Sequence, residues 1–257
     1  MSAPALAGRR VVVTRPAGQT AHLAALIRAA GGEPLLFPAL EILDAGDLRP
    51  VFALIERLDA FDLAVFVSAN AVDKALALVR ARRAWPPALR VATVGRGSER
   101  ELRRRGFAAV IAPSERFDSE GLLELPELKQ VEGKRVVIFR GEGGRELLGD
   151  ALIARCAAVD YAACYRRGRP NADPAPLLAL CARGELDAFT VTSSEGLANL
   201  HDMLGEAGRK CLKGTPLFAP HERIAAAARA LGVQTVVLTG PGDEGLVAGL
   251  AAFFAKV

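Results

Sequence analysis

The chain has 257 residues, enough for one large domain or two ordinary ones, and 51% of its residues are apolar, which is ample for hydrophobic cores. Its 33 Lys and Arg against 29 Asp and Glu leave a net charge of +4, a mild excess that fits a solvated surface with some positive charge for a polyanionic ligand. No signal-peptide pattern opens the chain, and apolar stretches such as residues 245–255 are too short and amphipathic to span a bilayer, so we expect a cytoplasmic protein without membrane contact.

The first predicted unit spans residues 8–42 and consists of a buried strand, a polar loop, a helix and a second apolar strand. The three consecutive valines at 11–13 are typical of a strand buried on both faces in a parallel sheet. Apolar residues at helical spacing predict the helix, and the second strand is expected over residues 34–40. Thr14 and Arg15 therefore lie at the carboxyl end of a strand, the edge at which open α/β sheets bind ligands.

Residues 61–67 form the next predicted buried strand, and Ser68, Asn70 and Ala71 lie where the following helix begins. Ser and Asn are favoured at such positions because a side-chain oxygen accepts a hydrogen bond from a free backbone N–H. A structural cap alone explains Ser68. The alternative is a ligand role, since helix N-termini present free N–H groups and a positive dipole end to carboxylates or phosphates. Both interpretations stay open at this point.

Residues 91–94 are the next predicted strand, and Gly95 opens the turn that follows it. The Gly-x-Gly pair at this turn lacks the third glycine of a dinucleotide fingerprint, so we exclude that interpretation. Ser119 lies just before a further helix over residues 122–128. The arginines around Trp85 fit the C-terminal end of a helix before a Pro-Pro stop better than a nucleic-acid surface.

The same series of elements then returns with an offset of 125 residues. Residues 133–167 repeat the first unit, and Arg140 stands 125 positions after Arg15, again at a strand end. Gly141 begins a glycine-rich loop that is not a Walker loop, because no Gly-Lys-Ser/Thr closes it. Backbone N–H groups in such a loop can still cradle a carboxylate.

Two further segments repeat in the same order, residues 186–200 after 61–76 and residues 216–253 after 90–125. Ser193 matches Ser68 at the strand end and is followed by Ser194, and Pro220 follows the next predicted strand. A repeat of this length is the size of a domain. We therefore predict two similar α/β domains.

The remaining reactive side chains suggest little chemistry of their own. The three histidines are scattered, so no metal site is predicted. Tyr161 and Tyr165 lie four residues apart in an extended segment, which predicts that both point to one face of a strand. Without a C-x-x-C spacing we expect reduced thiols in a cytosolic protein. The four cysteines are Cys156, Cys164, Cys181 and Cys211.

Taken in order, these segments resemble the uroporphyrinogen-III synthase family, from about residue 8 to residue 254. No single motif is specific, but their order and spacing are. The segments that carry the resemblance are VVVTRPAGQ at 11–19, FVSANAV at 66–72, VVIFRGEGG at 136–144, Tyr-Arg-Arg at 165–167, VTSSEGLANL at 191–200 and PLFAPHERIAAAARALG at 216–232.

The resemblance implies an α/β fold of two similar flavodoxin-like, three-layer domains with parallel sheets, joined by a two-stranded antiparallel ladder. Domain 1 would be discontinuous and hold residues 1–37 plus 169–257. Domain 2 would hold residues 43–160, with residues 38–42 and 161–168 as connectors. The sequence rationale is that each opening unit ends in an apolar extended segment that could cross between domains.

The resemblance also implies an activity, the cyclisation of hydroxymethylbilane to uroporphyrinogen III with loss of water and inversion of ring D, without a cofactor. This linear tetrapyrrole carries eight carboxylates and would need many donors in a cleft between two domains. Tyr165 matches the family's candidate proton donor, a role that we state as a hypothesis. We also expect a monomer that receives substrate by transient handover from hydroxymethylbilane synthase. The predicted substrate-binding residues are Thr14, Arg15, Ser68, Asn70, Ala71, Gly95, Ser119, Arg140, Gly141, Ser193, Ser194 and Pro220.

Two other functions compete with this one. A non-catalytic two-domain protein that closes on an anionic small molecule would bind its ligand tightly without turnover. A nucleic-acid-binding protein would need a basic stripe and would show binding that weakens steeply with salt. The arginines of this chain alternate with acidic residues, so we expect no nucleic-acid partner.

Overall fold

A computed structural model describes residues 4–256 of the chain. These residues divide into two compact units. Unit 1 consists of the chain up to Glu41 and from Gly168 onward, and unit 2 consists of Ile42–Arg167.

Helices and strands alternate along nearly the whole described chain. Up to residue 44 the elements are β1 (Arg10–Val13), α1 (Ala21–Ala29), β2 (Glu33–Leu36) and β3 (Glu41–Asp44). The middle of the chain contains α2 (Arg49–Glu56), β4 (Leu63–Phe66), α3 (Ala69–Arg80), β5 (Arg90–Thr93), α4 (Arg96–Arg104), α5 (Ser119–Leu123), α6 (Pro126–Lys129), β6 (Arg135–Gly141), α7 (Leu147–Ala154) and β7 (Ala158–Gly168). The last part contains α8 (Ala175–Ala182), β8 (Ala188–Thr190), α9 (Ser194–Met203), α10 (Gly205–Gly214), β9 (Leu217–Ala219), α11 (Glu222–Ala230), β10 (Val236–Leu238) and α12 (Gly242–Phe254).

Unit 1 is built on a five-stranded sheet in the order β10-β9-β8-β1-β2, and its strands pair in parallel. The valines of β1 are fully buried on both faces of this sheet, as their β-branched run predicts. Val12 packs in a core cluster with α8 to α11, whereas Val11 and Val13 pack against α1 and α12. Helices therefore cover both faces, and the unit has three layers.

Unit 2 repeats this plan with the strand order β3-β7-β6-β4-β5, in which the pairings β7-β6, β6-β4 and β4-β5 are parallel. Phe66 of β4 stacks on Phe139 of β6 with ring centroids 5.0 Å apart, on the face covered by α2, α3 and α4. The other face packs against α5, α6 and α7. The predicted α/β class with two parallel sheets is confirmed.

Three local predictions are wrong. The strand expected over residues 34–40 stops at Leu36, and a separate strand, β3, begins at Glu41. The N–H groups of Phe37 and Ala39 still reach the carbonyls of Val13 and Thr14, but Pro38 between them has no N–H to donate. β3 lies beside β7 in the sheet of unit 2.

The tyrosines of β7 lie on opposite faces, contrary to the prediction from their spacing. Tyr161 packs on the α5–α7 side, and Tyr165 is in the core on the α3 side. The pairing of β6 with β7 shifts register here, since Arg140 pairs with Ala163 and Gly141 pairs with Tyr165. One extra residue in a strand reverses the alternation of side chains after it.

The cysteines do not all remain free thiols either. A disulfide joins Cys181 of α8 to Cys211 of α10, with Cα atoms 5.8 Å apart, whereas Cys156 and Cys164 are free. The two bonded cysteines are 30 residues apart in sequence. Packing of α8 on α10 brings them together, and no short sequence motif signals such a contact.

Candidate functional site

The predicted site residues of unit 1 lie where β1, β8 and β9 end. Thr14 follows β1, and its hydroxyl donates a 2.8 Å hydrogen bond to the carbonyl of Thr190 in β8. The hydroxyl of Thr190 in turn donates to the carbonyl of Val12 at 2.9 Å. Both side chains are buried, so the Thr14 hydroxyl joins two strands at their carboxyl ends.

Arg15 comes next, and an acidic residue from the far end of the chain holds it. Its Nη2 lies 2.6 Å from Oδ1 of Asp243, at the start of α12. Within residues 4–256, neither Arg15 Nε nor Asp243 Oδ1 has a hydrogen-bond partner, so this close contact is an ion pair without an aligned hydrogen bond. The other oxygen of Asp243 lies 2.9 Å from Nδ1 of His22. Burial lowers the pKa of Arg15 from its usual value, and the charges of Asp243 and Glu244 partly offset this effect.

The N-terminus of α9 supplies the hydroxyl groups of this edge. Ser193 caps the helix, because its Oγ accepts a 2.9 Å hydrogen bond from the N–H of Gly196. Ser194, the first residue of the helix, has a buried Oγ that finds no hydrogen-bond partner among the described residues. Pro220 follows β9 and is half-buried. A Ser-capped helix with a free hydroxyl next to it is suited to an anionic group.

Unit 2 has the matching cap at the end of β4. The Oγ of Ser68 accepts a 3.0 Å hydrogen bond from the N–H of Ala71, in the first turn of α3, where Asn70 also lies. The same Oγ lies 3.0 Å from Oη of Tyr165, and either hydroxyl can be the donor. The predicted cap is therefore confirmed, and it is linked to the tyrosine proposed for catalysis.

Tyr165 is fully buried in the core of unit 2. Its ring lies against Gly141, where an added Cβ would stand 2.8 Å from two ring carbons. Arg167 Nη2 lies 3.4 Å from the Tyr165 hydroxyl. Ser68 is half-buried, so the hydroxyl pair runs from the core towards the carboxyl edge of the sheet. Glycine at position 141 is what leaves room for the phenol ring.

Arg140 occupies the place that corresponds to Arg15 but has different partners. Its Nη2 donates to the carbonyl of Gly143, and its guanidinium lies 4.9 Å from the centre of the Tyr161 ring. Within residues 4–256 it forms no ion pair with a carboxylate. Burial raises the pKa of Tyr161, although the charge of Arg140 acts against this shift.

The last two predicted residues of unit 2 lie at neighbouring helix starts. Gly95 is the residue before α4 and caps it without a side chain. Ser119 begins α5, but the cap of that helix is Asp118, whose Oδ1 accepts a 2.8 Å hydrogen bond from the N–H of Gly121. Ser119 is therefore a half-buried residue of the first turn and not the cap.

The predicted residues thus fall into two groups, one at the carboxyl edge of each sheet. Sequence reasoning missed Asp243 and His22, which surround Arg15. Glu and Asp in the first turn of a predicted helix are common, and nothing in the sequence pairs Asp243 with Arg15 across 228 residues. No cluster of three or more His, Cys, Asp or Glu side chains able to hold a metal ion occurs among the described residues. None of the helices in residues 4–256 is long and apolar enough to cross a membrane.

Comparisons with known proteins point in one direction. The family model described as Uroporphyrinogen-III synthase HemD matches residues 21–248. The uroporphyrinogen-III synthase of Salmonella typhimurium is 34% identical over 236 residues, which cover 91% of this chain and 96% of that protein. The enzyme of the same name from Escherichia coli K12 is 32% identical with the same coverage.

Two solved structures share the fold. A mutant uroporphyrinogen III synthase from Thermus thermophilus aligns with a TM-score of 0.62 at 20% identity, over 97% of this chain and all of that one. The uroporphyrinogen-III synthetase of Helicobacter pylori 26695 gives a TM-score of 0.55 at 14% identity, over 96% of this chain and 98% of that one. At these identities the two structures show similarity of fold alone.

Proposed function

Because this chain belongs to the uroporphyrinogen-III synthase family, we propose that the carboxyl edges of its two sheets bind hydroxymethylbilane and direct its ring closure. The chain is a cyclising lyase of tetrapyrrole biosynthesis. The observation that carries the substrate assignment is the duplicated Ser-capped helix start, at Ser68 and at Ser193.

The substrate explains why two such edges are useful. Hydroxymethylbilane carries eight carboxylates along a flexible chain of four pyrroles. The first turns of α3 and α9 offer backbone N–H groups and a positive dipole end to carboxylates. Arg15 and Arg140 add one cationic group to each edge. We assign the same role of fixing side-arm carboxylates to the other predicted residues, which are Thr14, Asn70, Ala71, Gly95, Ser119, Gly141, Ser194 and Pro220.

The reaction needs little covalent catalysis by the protein. The substrate loses its hydroxyl group readily and can close without help to the uninverted isomer. The enzyme therefore acts mainly by holding the chain in the conformation that forms a spiro-pyrrolenine, which is an effect of positioning.

A positioned proton donor speeds departure of the hydroxyl group. We assign this role to the Tyr165–Ser68 hydroxyl pair, whose oxygens are 3.0 Å apart. One proton leaves with the hydroxyl group as water. Ring closure releases one proton from the attacking pyrrole, which restores the donor.

A coupled assay tests the function. Hydroxymethylbilane is generated in situ, the purified protein is added, and the oxidised products are separated into type I and type III uroporphyrins. We expect type III in proportion to the protein added. Type I alone, formed at the uncatalysed rate, would refute the activity and would favour a protein that binds an anion without turnover.

Three finer proposals accompany the activity. We propose that the protein is a monomer, which light scattering after size exclusion would show as a mass near 27.1 kDa. We propose that hydroxymethylbilane synthase hands over its product directly, so that an inactive synthase variant should compete for substrate transfer.

We also propose a cytoplasmic location. Disulfides are rare in that compartment, so the oxidation state of Cys181 and Cys211 in a freshly trapped extract bears on this last proposal.

A further inference from the structure

The two duplicated arginines are not equivalent. Arg15 and Arg140 stand at matching strand ends, yet only Arg15 is paired with a carboxylate, at 2.6 Å, among the residues that the structure describes. Arg140 interacts with a backbone carbonyl and an aromatic ring instead. The carboxyl edge of unit 1 therefore carries its own anion next to its arginine, and the edge of unit 2 does not.

The carboxylate next to Arg15 in unit 1 belongs to a side chain that is largely buried. The side chain of Asp243 is only 10% exposed and lies between Arg15 and His22. It sits in the first turn of α12, together with Glu244, whose carboxylate is 3.8 Å from His22 Nε2. When the two segments are aligned on the Glu-Gly-Leu that both contain, at 120–122 and 244–246, the position in unit 2 that matches Asp243 is Ser119. It lies between Asp118, the cap of α5, and Glu120. Asp118 and Glu120 pair with Arg116 and Arg145 instead of Arg140. Among residues 4–256, a carboxylate paired with the strand-end arginine therefore occurs in unit 1 alone.

The ion pair with Asp243 involves only part of the Arg15 guanidinium. Asp243 contacts one terminal nitrogen of the guanidinium, while Arg15 Nε is buried and has no hydrogen-bond partner in the part of the chain that the structure describes. A guanidinium binds a carboxylate best with two parallel N–H···O bonds. A substrate carboxylate that reached both nitrogens would therefore form a better pair with Arg15 than Asp243 does.

A site that binds carboxylates must also release its product, and a competing carboxylate in the protein can promote this release. Loss of water during cyclisation leaves all eight carboxylates in place, so attraction of carboxylates alone would hold product as tightly as substrate. Binding that is equally strong before and after the reaction does not raise turnover. An internal carboxylate that competes for Arg15 weakens the hold on either molecule and promotes release of the product.

We infer that Asp243 is a positioning residue that holds Arg15 in the free protein and competes with a carboxylate of the bound tetrapyrrole for it. The inference rests on the proposed function, because it takes hydroxymethylbilane and its cyclised product as the ligands of this edge. It assigns weaker carboxylate binding to unit 1 than to unit 2.

The test compares Asp243→Asn, Arg15→Gln and the double variant. Asn keeps the shape of the side chain and removes its charge. The probe is uroporphyrin III, the oxidised product, and its Kd is measured by fluorescence titration alongside KM and kcat. For Asp243→Asn we expect a Kd and a KM about tenfold lower, with kcat reduced by slower product release. In the Arg15→Gln background the same substitution should leave Kd unchanged, because the competitor acts through Arg15.

Two controls complete the design. Asp202→Asn removes a charge from an exposed carboxylate of unit 1 and should leave Kd unchanged. Asp243→Ser, which places the residue of the matching position in unit 2, should lower Kd in the same direction and covers the case in which Asp243→Asn folds poorly.

An unchanged Kd in Asp243→Asn, or an equal gain with and without Arg15, would overturn the inference. If the wild type forms no type III isomer, the proposed function fails, and the titrations still decide whether Asp243 competes for Arg15.

Discussion

The two units share a fold but differ at the carboxyl edges of their sheets. In unit 1, an ion pair between Arg15 and Asp243 sits beside the strand ends, and a disulfide ties α8 to α10. In unit 2, a hydroxyl pair of Ser68 and Tyr165 occupies the edge, and Arg140 has no carboxylate partner within residues 4–256. The cores stay alike because buried strands must remain apolar on both faces, whereas strand-end residues are free to diverge. Under the proposed function, unit 2 would carry the acid catalysis and unit 1 would hold and release carboxylates.

The largest expected effect is a loss of stability when the disulfide of unit 1 is removed. The Cys181–Cys211 bond closes a loop of about 30 residues, which corresponds to about 3–4 kcal/mol of stability through the entropy of the unfolded chain. The double substitution to serine should lower the free energy of unfolding in guanidinium by that amount. Wild type measured in reductant should match it, and Cys156→Ser should behave as wild type. Equal stability of the oxidised wild type and the double variant would contradict the prediction.

The next largest effect is a loss of turnover when the tyrosine of unit 2 is changed. Tyr165→Phe removes the hydroxyl 3.0 Å from Ser68 and should reduce kcat about 100-fold if it supplies the proton. The lost buried hydrogen bond should destabilise the fold by only about 1 kcal/mol. Tyr161→Phe is the matched control on the same strand, because its ring faces the other side of the sheet. Full turnover by Tyr165→Phe would remove the tyrosine from catalysis and leave it a packing role.

A smaller effect sharpens the comparison between the two caps. Ser68→Ala and Ser193→Ala each lose one N-cap hydrogen bond and should each destabilise the protein by about 1 kcal/mol. Only Ser68 also contacts Tyr165, so its variant should lose more of kcat, whereas Ser193→Ala should act mainly on KM. Urea unfolding and steady-state kinetics measure both quantities. Equal kinetic losses in the two variants would mean that the units share the chemistry evenly.

The smallest effect concerns the free thiols of unit 2. Burial raises the pKa of Cys164 from 9.0 to about 12, and the thiolate is the reactive form. At pH 8, iodoacetamide should label the exposed Cys156 and leave Cys164 unmodified until the chain unfolds. Because the raised pKa favours the neutral thiol in the folded state, its contribution to stability is complete below pH 9 and is lost as pH rises towards 12. Rapid labelling of Cys164 in the folded protein would contradict this prediction.

Much of the scaffold follows from local sequence. The valine run of β1 and the repeat at 125 residues predict buried parallel strands and a duplicated α/β plan, and the order of elements places Ser68 and Arg140 at strand ends. These features depend on neighbouring residues in the chain. A single sequence contains them in full.

The parts that escaped prediction depend on distant residues or on register. Asp243 meets Arg15 only because α12 packs on α1, and the disulfide exists only because α10 packs on α8. The burial of Tyr165 follows from one register shift beside Gly141. None of these contacts has a periodic or motif signature, so periodicity and spacing could not reveal them.

The discontinuous composition of unit 1 has a consequence for synthesis on the ribosome. β1 pairs with β2 soon after it emerges, but its other neighbour, β8, lies about 175 residues later. At roughly 5–20 residues per second, the open edge of β1 waits on the order of 10–40 s for its partner. Unit 2, Ile42–Arg167, can fold completely during that interval. Premature termination after unit 2 would therefore release a finished domain joined to an apolar strand with one open edge, a species prone to aggregation.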